Sequence, residues 1–91
     1  MTKEELLSSV KDALGITGDS QDKTLTMYIN EVKSYLIDGG IGKAFFETPE
    51  CVGILARGVS DLWNYGGGDV KFSPYFYERA TQLAFRGDSD V

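Results

Sequence analysis

The amino-acid sequence predicts an all-α fold: a compact bundle of about four helices joined by short polar loops. Three observations predict it. Apolar residues recur at helical spacing in four separate stretches. Each stretch opens on helix-start chemistry, at Thr2, at Asp19 or Ser20, at Thr48-Pro49 and at Ser73-Pro74. Glycines close three of them, at Gly15, at Gly39-Gly40 and at Gly66-Gly67-Gly68. Two short segments, around 41–47 and 69–72, leave room for an irregular or strand-like piece. The 91 residues suffice for one domain, read as a helical body over 1–86 followed by a short polar tail over 87–91.

In the first stretch, Thr2 and Glu5 fit a capping box, in which hydroxyl and carboxylate satisfy free backbone N–H groups. Leu6, Leu7, Val10, Ala13 and Leu14 then share one face, and Gly15 is placed to end the helix in a left-handed conformation. In the second, Leu25, Ile29, Val32 and Leu36 form a stripe that Met27, Tyr28 and Tyr35 widen. Asp38-Gly39-Gly40 stops it. The segment Ile41–Glu47 is open between an ordered loop, a short strand and a helical turn. Its adjacent Phe45 and Phe46 cannot both point inward from a simple surface loop. The third helix carries Val52, Leu55, Ala56, Val59, Leu62 and Trp63, with Gly53 and Gly58 inside it. Each glycine costs about 0.5–1 kcal/mol relative to alanine, so a close approach of a neighbouring backbone is the expected reason for them. The fourth carries Tyr75, Phe76, Ala80, Leu83 and Ala84 and runs to about Arg86.

Composition excludes most chemistry. There is no histidine, the commonest general base and metal ligand, and the one cysteine, Cys51, has no partner for a disulfide or a metal-binding pair. No carboxylate set has calcium-loop spacing, and the glycine triplet lacks the lysine and hydroxyl of a phosphate loop. No catalytic residue, cofactor or metal site is expected, and so no enzyme. The net charge is −5, from 14 acidic and 9 scattered basic residues, which disfavours tight nucleic-acid binding. No apolar stretch approaches the roughly 20 residues that span a bilayer, and the first residues lack a signal-peptide core. No membrane association is expected, and the cytoplasm is the default location.

The aromatic load is the remaining feature: five tyrosines, five phenylalanines and one tryptophan. A chain this short buries only about 60–65% of the surface that its unfolded form exposes. Trp63, Phe72 and Phe76 read mainly as core, while Tyr65, Tyr75 and Tyr77 divide between core and interface. Candidate interface residues are Phe45, Phe46, Trp63, Tyr65, Tyr75, Tyr77 and Arg86.

Three stretches carry a resemblance. They are Leu6-Leu7-x-x-Val10-Lys11-x-Ala13-Leu14-Gly15-Ile16, Ile54-Leu55-Ala56-Arg57-Gly58-Val59-x-Asp61-Leu62-Trp63-Asn64-Tyr65, and Phe72-Ser73-Pro74-Tyr75-Phe76-Tyr77-Glu78-Arg79-Ala80-Thr81-Gln82-Leu83-Ala84. In order and spacing the chain resembles the head–tail connector, or adaptor, proteins of tailed bacteriophages and prophages. The Ile41–Glu47 segment matches that pattern less well. The resemblance implies a structural subunit of the virion, at the head–tail junction, that waits in the host cytoplasm before assembly. It implies a homo-oligomeric ring of about twelve copies under the portal protein, with a downstream head-completion or tail protein docked on the other side. DNA would pass through the lumen without specific binding. The loop with Phe45 and Phe46 would then touch a neighbour, the Trp63–Asp69 turn would meet a partner, and the tail after Arg86 would order on docking. On that reading Phe46→Ser weakens assembly and leaves helicity unchanged. Two other readings stand beside it: a small DNA-packaging or nucleic-acid-binding factor, and a helical adaptor module of another complex.

Overall fold

The structure is a computed structural model and describes residues 2–65 and 72–89, with side chains as far as 64 in the first stretch and 85 in the second. It comprises α1 (Lys3–Leu14), α2 (Asp22–Asp38), a 3-10 helix (Lys43–Glu47), α3 (Cys51–Tyr65) and α4 (Pro74–Ser89). Among the described residues there is no strand, so the strand-like alternative for 41–47 gives way to a helical turn. Residues 69–71 lie outside the described residues. Helix α4 runs three residues past Arg86, into the segment expected to be a tail.

The local signals act as their chemistry requires. The Glu5 N–H donates to Thr2 Oγ1 at 3.1 Å and the Thr2 N–H donates to Glu5 Oε1 at 3.0 Å, the reciprocal capping box, worth about 1 kcal/mol to α1. Gly15 closes α1 at φ 72°, in the left-handed region where a Cβ is costly. Ser73 Oγ accepts from the Phe76 N–H at 3.3 Å and caps α4, with Pro74 in its first position.

Two caps differ from expectation. Gln21, not Asp19 or Ser20, precedes α2, and its side chain makes no capping bond. The loop is instead drawn together by Lys11. Its ammonium donates to Asp22 Oδ1 at 2.7 Å and to the Gly18 carbonyl, tying the last turn of α1 to the first turn of α2. Thr48 does not cap α3. Its hydroxyl donates to the Phe45 carbonyl at 2.7 Å, as does its backbone N–H at 3.2 Å, so it closes the 3-10 helix, and α3 begins at Cys51.

Helix α3 is the central element. It packs against α1, α2, α4 and the 3-10 helix, which is why Cys51, Ile54, Leu55, Ala56, Val59 and Leu62 are all buried. Leu6 and Val10 meet it from α1, the four stripe residues from α2, and Phe76 and Leu83 from α4. Ala13 and Met27, expected from the sequence to belong to the apolar faces of α1 and α2, are exposed. Gly58 lies where α2 and α4 converge on α3. A Cβ built on it would stand 2.8 Å from Phe76 Cε2 and 2.8 and 2.9 Å from the two Cγ atoms of Val32. Both neighbours are fully buried, and a β-branched valine in a helix has little rotamer freedom to yield. Around Gly53, on the exposed side of the same helix, a Cβ would meet nothing within 4 Å.

These two glycines should therefore respond oppositely to one substitution. Gly53→Ala is expected to raise stability by about 0.5–1 kcal/mol through helix propensity. Gly58→Ala is expected to lower it by about 1–3 kcal/mol through overpacking, despite the same propensity gain. Urea unfolding midpoints of the two variants provide the measurement.

Candidate protein-interface surfaces

The interior offers no chemistry among the described residues. No polar or charged residue is buried there, and no group of three or more histidine, cysteine, aspartate or glutamate residues could hold a metal. Cys51 is fully buried, with Sγ 3.8 Å from the Phe46 carbonyl. Burial pushes its thiol above the ordinary range, the wrong direction for a nucleophile. No described helix is long and apolar enough to cross a membrane. Among the described residues the large exposed apolar side chains are Met27, Tyr35, Trp63, Tyr75, Tyr77 and Phe85.

Three surfaces collect all of these but Met27. The first is an open groove of about 470 Å³ between the C-terminal half of α2 and α4. Leu36, Ile41, Ala80 and Ala84 supply its apolar lining, with Tyr35, Tyr77 and Phe85 also on its walls. Among the described residues that line it, Asp38 alone is charged. Tyr35 belongs to an aromatic cluster, its ring 5.1 Å from Phe72, 5.8 Å from Phe76 and 6.1 Å from Tyr77. Burial, and secondarily the neighbouring Tyr77, raises the Tyr35 phenol above its ordinary value, so it is a neutral hydrogen-bonding group here. The second surface is a smaller hollow of about 210 Å³ formed by Leu14, Ile16, Val59, Ser60 and Trp63, with Tyr28 edge-on to Trp63 at 6.0 Å. The third is Tyr75, which lies under the Arg57 guanidinium at 4.7 Å.

The join between α3 and α4 holds these surfaces in place. Asp61 Oδ2, on α3, accepts from the Ser73 N–H at 2.9 Å. Phe72 stacks on the buried Phe76 ring at 4.2 Å, and the Phe72 N–H donates to Tyr77 Oη at 3.3 Å. The start of α4 is thus fixed to the body by a polar contact and an aromatic plug.

The residues expected at interfaces do not share one patch. Trp63 is 41% exposed, Tyr75 68% and Tyr77 39%, so all three reach solvent, and Trp63 is less a core residue than its place in the sequence implies. Phe45 is half-buried, its ring edge-on to Phe46 at 5.4 Å. Phe46 is only 4% exposed and belongs to the core, beneath the Lys33 ammonium at 5.5 Å. In this fold it has no face to offer a neighbour. The side chains of Tyr65 and Arg86 and the 66–69 turn lie outside the described residues. Sequence reading missed Tyr35, Phe85 and Met27 as surface aromatics and apolars. Helical spacing held a signal for two of them. At about 100° per residue, Phe85 falls about half a turn from the buried Phe76, and Met27 about half a turn from the α2 stripe.

The family described as phage gp6-like head-tail connector protein matches residues 4–60. The chain belongs to this family. The match runs from α1 through most of α3, so it covers two of the three stretches that carried the resemblance, the second only in part, and leaves α4 outside. No curated protein matches, and no solved structure does. A connector is a structural component of phage assembly, at home at the head–tail junction, with partners among virion proteins such as portal or tail proteins. That role agrees with a helical body whose features lie on its surface.

Two phenylalanines separate core from surface in a single experiment. Phe46→Ser is expected to cost about 3–5 kcal/mol, the scale of a buried phenylalanine truncation, and to lower helicity at modest temperature. Phe85→Ser, at a side chain 79% exposed, is expected to change stability by no more than about 0.5 kcal/mol. Far-UV circular dichroism melts of the two variants check both values.

Proposed function

We propose that this connector subunit assembles into a ring of about twelve copies beneath the portal, extending the DNA channel and presenting a docking surface to the next head-completion or tail protein. The observation that carries the proposal is membership of the head–tail connector family together with apolar residues displayed on several faces of one helical body. A ring subunit needs separate faces for two neighbours, for the portal and for the tail side. A groove between α2 and α4, a hollow beside Trp63 and an aromatic–guanidinium pair at Tyr75 are that kind of surface. A catalyst would need instead a pocket with convergent polar groups.

The acidic balance supports a lumen that lets DNA pass. Fourteen carboxylates against nine basic side chains repel phosphate on the whole, and a passage that must not grip DNA gains from that. Strong, salt-sensitive DNA affinity would speak for the DNA-packaging reading instead.

The test is the mass of the full chain mixed with the portal protein encoded beside it, by light scattering on a sizing column. A stable complex with about one copy per portal subunit is the expected result. Absence of any complex across protein concentrations, with helicity intact, would overturn the proposal.

A further inference from the structure

The two flanks of α4 differ in a way that suggests how one copy meets the next. One flank, with Tyr77, Ala80, Thr81 and Ala84, faces the groove shared with the end of α2. Half a turn around the helix, at about 100° per residue, lie Tyr75 and Arg79. These two turn toward α3, where Arg57 covers Tyr75 at 4.7 Å and Glu50 stands 3.6 Å from Arg79. One flank is therefore a hollow and the opposite flank a projection.

Their charges are opposite as well. Among the described residues, Asp38 is the only charged one lining the groove, and no basic residue occupies the last turn of α2. The negative pole of that helix therefore adds to the carboxylate. The projection carries Arg57, with Arg79 one turn along α4. Neither Asp38 nor Arg57 forms an ion pair within the chain among the described residues. The groove is mainly apolar, with Asp38 at its edge, and the projection is a 68% exposed tyrosine with a guanidinium on top. An aromatic side chain carrying a cation suits a greasy hollow with one acid at its edge.

We infer that the groove of one copy receives the Tyr75–Arg57 projection of a second copy, with Asp38 meeting Arg57 across the contact. This rests on the ring reading above. Groove and projection lie on opposite flanks of one helix, so a copy cannot fill its own groove. The contact is head-to-tail, the kind that propagates around a ring when the rotation closes. Small side chains at Ala80 and Ala84 keep the groove open for that insertion.

The experiment reads the mass of complexes formed by the full chain on the portal protein encoded beside it, by light scattering. The reversals Asp38→Arg and Arg57→Asp, both at exposed positions, are each expected to raise the concentration needed for assembly roughly tenfold or more, since like charges then face each other. Helicity should stay unchanged. An equimolar mixture of the two variants is expected to restore assembly. The reversed groove of one variant then meets the reversed projection of the other, and the two unaltered surfaces meet as before. A twelve-membered ring can close on such alternation. If either reversal lowers helicity, the milder Asp38→Asn and Tyr75→Ser are read in the same assay and must weaken assembly. Assembly of a single reversal at wild-type concentration, or failure of the mixture to recover, would overturn this contact and leave the ring reading standing. If the unaltered chain forms no complex with the portal protein, the ring reading fails, and this contact with it.

Discussion

Everything in this bundle is arranged around a side chain that is absent. At Gly58 the backbone of α3 is bare, and Val32 from α2 and Phe76 from α4 close over it. A methyl group there would sit within 3 Å of three carbon atoms that are themselves fully buried. The close approach lets one helix serve as a common wall for two others. It also sets where α4 lies, since Phe76 is its deepest anchor and the residues on its flanks take their directions from that point. The groove, the projection at Tyr75 and the polar contact between Asp61 and Ser73 all follow from where this ring is seated.

The sequence made much of this legible, and the reasons for the rest are physical. The capping box at Thr2, the left-handed Gly15 and the proline after Ser73 act within a few residues of themselves, so the local pattern is enough to read them. The four-residue stripe of α2 is equally plain. The 41–47 segment was not, because its conformation is decided elsewhere. A 3-10 helix turns about 120° per residue, so Phe46 can point into the core while Phe45 lies across its edge, and α3 supplies the surface that makes this worthwhile. The start of α2 was misplaced for a similar reason. Lys11, eleven residues away, draws Asp22 and the Gly18 carbonyl together, and the caps available in the loop go unused.

The candidate surfaces were harder to read than the fold. Exposure depends on which helices cover which faces, and the stripe alone does not say how wide the cover is. Tyr35 shows this: it lies at the edge of the α2 stripe and is 42% exposed, yet it packs on three aromatic rings. Trp63 shows the opposite error: it stands one residue after the buried Leu62, yet its large ring is 41% exposed. Phe85 was available from spacing alone. It lies about half a turn from the buried Phe76 and Leu83 and shares the groove wall with Ala84.

The open groove is better understood as a consequence of residue size than as a packing defect. Helix α4 is pinned at Phe76 and again at Leu83, both buried. Between and beside them, on the side toward α2, stand Ala80 and Ala84, which are too short to reach across. Leucine at either position would remove more apolar area from water, and a domain of this size has little burial to spare. Marginal stability leaves such a concession tolerable when a surface has another use. On the proposed ring reading, the apolar area that the chain leaves uncovered is where a neighbouring copy would contribute burial that the fold alone does not supply.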